Sequence, residues 1–390
     1  MKSPRLKSKM AKTGKRKTPS FQISGLRIRR VVGVTQPSAT SNLLIQGENS
    51  QALSTILDCP SISQRVRLIY IDPPFSTRQE FRIGVDRVST ISHSATDRLA
   101  YRDTLKGEEY LRFLRERLVL LRALLADDGS LYFHIDDKIG HYVKVLLDEI
   151  FGIRNFRNDI TRIKCNPKNF ARKGFGNVKD VILFYTKSSR FVWNEPSEVM
   201  KADDIDRLFP RVDPEGRRYT TTPLHAPGET HRGATGKSWK GLRPPAGRHW
   251  RVPPEELSRL DALKLIEWSE TGNPRKKIFA EGKSRRGKKV QDIWEFKDPP
   301  YPAYPTQKNI GVLNRIIAAS SSPGDLVLDA FAGSGTTLIA AQGLARRWIG
   351  IDASAHAVNV AQKRLQGLGS HVSFVLCECA APTNGRQSPS

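Results

Sequence analysis

The sequence predicts an α/β fold assembled from two separated stretches of chain, and three observations carry that prediction. Short apolar runs alternate with helical stripes over 41–194, and the same texture returns over 301–370. Between them, residues 195–300 are rich in Pro, Gly, Arg and Lys and lose apolar periodicity. Two of the apolar runs end in an aspartate followed by a turn: Leu68–Ile71 delivers Asp72-Pro73-Pro74-Phe75, and Leu326–Leu328 delivers Asp329 and a glycine-rich segment. Stiff corners and glycine turns at strand ends are where α/β proteins place their chemistry.

The elements follow in order. Residues 1–40, most basic over 1–20, read as an arm without structure of its own. Asn42–Glu48 is a short strand ending on a carboxylate, with a helix through Ala52–Leu57. Val66–Asp72 is a strand. Over 108–129, Leu111, Leu114, Leu118, Leu121 and Leu125 make one stripe at helical spacing, and Asp128-Gly129 closes it. Residues 130–136 form the next strand, and Ile139, Val143, Leu146 and Ile150 mark another helix. The runs 180–187 and 190–194 lie close enough to form a hairpin. Ile310, Leu313 and Ile317 share a helix face ahead of Pro323-Gly324. A helix follows the glycine turn from about Thr336, then a strand ending at Asp352, a helix over Ala355–Leu365 and a last strand over 371–378, with the tail running to 390.

Composition narrows the function. The chain has 390 residues and a net charge of +25, an excess that a polyanion would offset. Nucleic acid is the expected partner. No apolar run reaches membrane-span length, no signal peptide is visible, and the four cysteines include no Cys-x-x-Cys pair, so a reduced, cytoplasmic protein is expected. Cys377 and Cys379 read as strand residues, not metal ligands. The middle region combines basic side chains with Trp239, Trp250, Trp268 and Trp294, which suits reading DNA.

The turn Asp329-Ala-Phe331-Ala332-Gly333-Ser334-Gly335-Thr336-Thr337 has the plan of a ligand-binding strand-to-helix turn. It lacks the third glycine of the dinucleotide fingerprint and the Gly-Lys-Ser/Thr of a P-loop, which disfavours a nicotinamide-dependent oxidoreductase. Together with Asp352 at the next strand end, it resembles the S-adenosylmethionine site of amino-methylating DNA methyltransferases. Asp72-Pro-Pro-Phe75 resembles their catalytic motif. Tyr304-Pro-Thr306-Gln-Lys308-Asn309 resembles their Pro-Thr-Gln-Lys-Pro motif, with asparagine in place of the last proline. The order, catalytic motif first and methyl-donor motif last, is that of the permuted β-group, which includes type III modification subunits and many bacterial and phage adenine methyltransferases.

The resemblance implies a permuted, doubly wound Rossmann-like sheet with an inserted target-recognition region at 195–300. It implies S-adenosyl-L-methionine as cofactor and DNA as substrate, and leaves a homodimer and a restriction-enzyme partner open. It implies that Asp72 and the Pro73 carbonyl accept from the target amino group while Phe75 stacks on a flipped base. The backbone of Phe331–Gly335 would contact the donor's methionine part, Asp352 its ribose, Asp329 its amino group and Glu48 its adenine. Thr306 and Lys308 would meet its carboxylate, or else be a helix cap and a solvated lysine. His134 reads as structural. Asp before Pro-Pro goes mostly with adenine N6 in this family; cytosine N4, RNA, or a DNA-binding protein with a vestigial donor site are the rivals.

Overall fold

The apolar runs pair into one ten-stranded sheet whose strand order departs from sequence order. The computed structural model describes residues 23–33, 36–73, 80–83, 88–89, 98–102, 107–167, 171, 173–284, 287–298 and 308–380. Two compact units divide the chain: one runs up to Asn194 and resumes at Asp292, and the other is Glu195–Gln291.

The strands of the ten-stranded sheet, all in the first unit, are β1 (Leu26–Val32), β2 (Asn42–Gln46), β3 (Val66–Ile71), β4 (Leu125–Ile135), β5 (Phe156–Ile163), β6 (Lys179–Thr186), β7 (Ile293–Glu295), β8 (Leu326–Asp329), β9 (Arg347–Asp352) and β10 (Phe374–Cys379); Glu80–Ile83, Val88–Ser89 and Arg98–Arg102 form a separate three-stranded sheet. The helices are α1 (Asn49–Leu57), α2 (Gly107–Leu124), α3 (Gly140–Phe151), α4 (Ile310–Ser320), α5 (Thr336–Gly343) and α6 (Ala355–Gln366). The spatial order is β1-β10-β2-β9-β8-β3-β4-β6-β5-β7. The run from β10 to β4 is parallel, as are β5 and β7, whereas β1 and β6 lie antiparallel to their neighbours.

From β8 the chain moves through α5 to β9 on one side, and from β3 it moves through α2 to β4 on the other. The strand order therefore reverses between β3 and β8. In a doubly wound sheet, the crevice beyond the carboxyl ends of such a strand pair is where ligands bind.

Strand alternation sorts the residues into two faces. Ile69, Ile71, Leu131, Phe133, Leu328 and Ile349 join α1, α2 and α3 in one core. The opposite face carries Tyr70, Tyr132, His134 and Phe184; Tyr132 donates to or accepts from Ser320 of α4 at 2.7 Å.

Several sequence expectations are corrected. Leu26–Val32, assigned above to the arm, is β1. It pairs with Phe374–Cys379, and Arg27 and Arg29 share an ion pair with Glu378, a partner invisible to local reading. The helix expected over 108–129 stops at Leu124, because Leu125 already pairs with Val66 and the ladder resumes at Leu68 and Ser130, so 126–129 bulge out. The hairpin of 180–187 with 190–194 does not form; β6 pairs instead with β4 and with β5, a strand the sequence reading missed. The insertion ends at Gln291, not 300, since Ile293–Glu295 is the edge strand β7.

The second unit has a small antiparallel sheet of Arg211–Val212, Arg218–Pro223, Pro274–Phe279 and Ile266–Trp268. Trp239 and Trp250 are buried with Leu224, Leu257 and Leu260, so these two indoles form its core and are not offered to a nucleic acid. Trp294 is buried in the first unit; Trp268 is half exposed and stacks on Trp239 at 5.7 Å. No helix among the described residues is long and apolar enough to cross a membrane.

Candidate active site

Two strand ends meet at the switch point. Register pairs Ile69 of β3 with Leu328 of β8, which sets Asp72 just beyond one strand beside Asp329 at the end of the other. Among the described residues, Pro73 follows; Pro74, Phe75 and Thr306 lie outside them, so the expected stacking ring and one expected donor contact are not described.

Lys308 reaches Asp72 directly, Nζ to Oδ2 at 3.0 Å, with both side chains largely buried. Burial lowers the Lys308 pKa, but the charges of Asp72, Asp180 and Asp298 outweigh it and hold the ammonium above its ordinary value. The other carboxylate oxygen, Oδ1 of Asp72, is buried and has no hydrogen-bond partner among the described residues. An acceptor kept out of water without a donor is costly, so one that is retained is a place for an incoming N–H.

On the β8 side the turn is built from local bonds. Asp329 is buried and its Oδ1 accepts from the Phe331 amide at 2.9 Å. Burial raises its pKa to about 7; the Thr337 hydroxyl and Phe331 amide pull it down, and the charges of Asp72 and Asp352 push it further up. Asp352, at the end of β9, accepts from Gly333 N at 2.7 Å and from Ser354 N at 2.8 Å. Burial raises its pKa against those bonds. Ala332 donates to Ile351 O at 2.9 Å. Gly335 caps α5 in the left-handed region at φ 78°, where an added Cβ would sit 2.9 Å from the Ala361 methyl. Gly333 also has positive φ, 50°, yet a Cβ there would meet nothing nearer than 4.0 Å. The space above Gly333 is open, as a ligand lying on this backbone requires.

With that geometry, the relatives can be compared. The sequence matches the N6/N4 methyltransferase family, a DNA methylase family, over residues 66–363. The Type II methyltransferase M.EcaI of Enterobacter cloacae is 42% identical over 329 residues, 83% of this chain and 69% of that protein. This chain belongs to the N6/N4 DNA methylase family. The StyLTI Mod subunit, of a type III restriction-modification enzyme in Salmonella typhimurium, is 26% identical over 78% of this chain but 50% of its own length. The chain thus spans about half of that relative. Among solved structures, M1.HpyAVI in complex with S-adenosyl-L-methionine superposes with a TM-score of 0.43 at 17% identity, over 83% of this chain and 100% of that one, too loose a likeness to carry an argument. S-adenosyl-L-methionine is the methyl donor of this methylase family.

Glu48, the residue expected at the donor's adenine, is tied to neighbours, Asn49 and Arg117, that the sequence reading did not select. Glu48 N-caps α1, accepting from Ser50 N at 2.8 Å and Gln51 N at 3.1 Å, and forms an ion pair with the buried Arg117 of α2. Burial raises the Glu48 pKa, but these bonds and the Arg117 charge bring it below the ordinary value. Arg117 also holds Asn49, which donates to Ala330 O at 3.3 Å, and lies 3.5 Å over the Phe113 ring; Phe113 in turn meets Phe331 at 6.1 Å. Arg364 of α6 clamps the glycine turn from behind, donating to Ser334 O at 2.7 Å, Ser334 Oγ at 2.8 Å and Thr336 Oγ1 at 3.2 Å. A basic residue at helical spacing inside the apolar stripe of α2 was the available signal for Arg117; none existed for Arg364. Asn309, the departure from the family motif, caps α4 by accepting from Gly311 N at 2.8 Å, a bond proline cannot supply.

Proposed function

We propose that this methylase transfers the methyl group of S-adenosyl-L-methionine to the N6 amino group of adenine in DNA, with the base flipped out of the duplex. The observation that carries this reading is the buried Oδ1 of Asp72 at the switch point, without a hydrogen-bond partner among the described residues, together with the open backbone of Gly333. When bound, S-adenosyl-L-methionine supplies an electrophilic methyl group on a sulfonium. Phe331–Gly335 offer it backbone, and Asp352 keeps lone pairs for ribose hydroxyls although each oxygen already accepts one amide. In this reading Asp329 takes its amino group and Glu48 its adenine edge.

Asp72 Oδ1 and the Pro73 carbonyl each accept a hydrogen bond from one amino proton. That favours a tetrahedral nitrogen whose lone pair is available to the methyl carbon; the surplus proton leaves to solvent after transfer. This is positioning and electrostatics, with no covalent enzyme intermediate. A base inside a duplex cannot reach Asp72, which is why flipping belongs to the reading.

Three arginines of the second unit suit a DNA phosphate backbone. Arg248, Arg251 and Arg275 surround His225, whose pKa is lowered by burial and by their charge. Arg251 and Arg275 are oriented by the Pro223 and Thr221 carbonyls, and none of the three has a carboxylate partner among the described residues. Mass spectrometry of nucleosides from DNA treated with the enzyme and labelled donor tests the proposal. N6-methyladenine is expected; N4-methylcytosine would overturn the choice of base, and unlabelled DNA the activity.

A further inference from the structure

A line of polar side chains runs under the Asp72–Lys308 pair, on the sheet face opposite the main apolar core. It takes one side chain from each of four adjacent strands and one more from just past the end of the fourth. Tyr70 of β3 meets His134 of β4, hydroxyl to Nδ1, at 2.7 Å. His134 Nε2 meets Asp180 Oδ2 of β6 at 3.2 Å. On the β5 side, Arg162 reaches the same oxygen at 3.3 Å, and Lys164, just past the strand end, reaches Asp180 Oδ1 at 2.6 Å. Arg162 also pairs with Asp298 and donates to Phe296 O at 2.9 Å. Tyr70, His134, Asp180 and Arg162 are all at most 2% exposed.

The hydrogen-bonding roles are fixed by chemistry. A carboxylate only accepts, so His134 carries its proton on Nε2 and donates to Asp180; Nδ1 is then the acceptor of the Tyr70 hydroxyl. Burial and the nearby Lys308 charge hold the imidazole below its ordinary pKa, so it stays neutral. Burial raises the Asp180 pKa, but the His134 bond and the charges of Lys308 and Lys164 bring it far below the ordinary carboxylate range. Asp72, Asp180 and Asp298 thus face Lys308, Lys164 and Arg162, a balanced set whose members cannot move independently.

Tyr70 lies on β3 two residues before Asp72, which sits just beyond the strand end, so the line pins that end, while the Asp180 charge favours the Lys308 ammonium. We propose that Tyr70, His134 and Asp180 are positioning residues for methyl transfer: they hold Lys308, and through it Asp72, so that Oδ2 is occupied and Oδ1 alone faces the target amino group. The inference rests on reading Asp72 as the acceptor of that amino group. All three are buried behind Asp72, and the main apolar core lies on the other face of the sheet. A buried polar rung beneath a lysine that holds Asp72 Oδ2, and leaves Oδ1 without a hydrogen-bond partner among the described residues, fits a role in aiming Oδ1.

The test uses the full chain with Tyr70→Phe, which removes one hydroxyl, and Asp180→Asn, which removes one charge. Thermal unfolding, donor affinity by calorimetry, DNA affinity, and the single-turnover transfer rate are read for each. The expected result is a transfer rate lower by roughly 10- to 100-fold, larger for Asp180→Asn, with donor and DNA affinities within about twofold of wild type. A wild-type rate in the folded variants overturns the proposal. A rate that falls in step with donor affinity overturns it too, because Lys308 would then serve the donor carboxylate. Should Asp180→Asn fail to fold, Tyr70→Phe decides alone. Asp72→Asn is run beside them: wild-type transfer there removes the acceptor reading itself, whatever the positioning variants do.

Discussion

The two halves of the site are built differently. The β8 half is made of backbone: Asp329, Gly333, Gly335 and Asp352 lie within one strand-turn-helix-strand unit and bond mostly to amides a few residues away. The β3 half is made of side chains from β3, β4, β6, β5 and the segment ahead of α4, with the Asp72 and Asp180 carboxylates held by cations from other elements. A site for a bulky, invariant donor needs shape, which a turn supplies locally. On the proposed reading, the other half aims one lone pair at a nitrogen, which needs orientation, and side chains from across the sheet would supply it.

The largest effect expected from this contrast is at Asp72. Asp72→Ala removes an acceptor and strands the Lys308 ammonium. Transfer falls by about 10²- to 10³-fold or more, while calorimetric donor affinity stays near wild type. Loss of donor binding in this variant would erase the division between the halves.

Next comes the glycine turn, where the defect should appear in binding and stability instead. Gly335→Ala forces a side chain into the left-handed region and against Ala361. It should destabilise the fold by about 1–2 kcal/mol or more in denaturant unfolding and weaken the donor. Gly333→Ala, with open space around it, should cost less stability yet still weaken the donor. Equal unfolding costs at the two positions would show that packing against α6 does not shape the turn.

The smallest effect is a pH dependence carried by Asp329. Its folded pKa, about 7, lies above the ordinary carboxylate value, so the folded state keeps a proton that the unfolded chain loses. Its contribution to stability is therefore present in acid and fades as pH rises from about 4 to about 7. Asp329→Asn never ionises and should lack that decline, so its stability relative to wild type grows across this window and levels off above it. Parallel stability curves for the two proteins would rule out a buried, neutral Asp329.

What could be read from the sequence follows the same division. Asp329–Thr337 and Asp352 were visible because strand, glycines and acidic residue are close in sequence. Asp72 was visible because two prolines after a strand are rare. Lys308 was selected for its motif but stands on Asp72, a contact set by the seam between β3 and β8. Tyr70, Asp180, Arg162 and Lys164 carried no local signal: each is an unremarkable strand residue until register sets it beside the others. β1 was missed for the same reason, since Arg27 and Arg29 find their carboxylate in Glu378 at the far end of the chain.

The seam between β3 and β8 also has a consequence during synthesis. The ribosome makes β3, α2 and β4 long before β8 exists, so β3 emerges with one whole edge of amides and carbonyls unsatisfied. That edge is Val66–Ile71, apolar and β-prone. Its proper neighbour is translated only after the second unit has been made. Pairing across such a separation is slow to find, so the nascent first half must be kept from pairing with other chains until β8 arrives. The step that completes the site is thus the same step that retires the most aggregation-prone edge of the molecule.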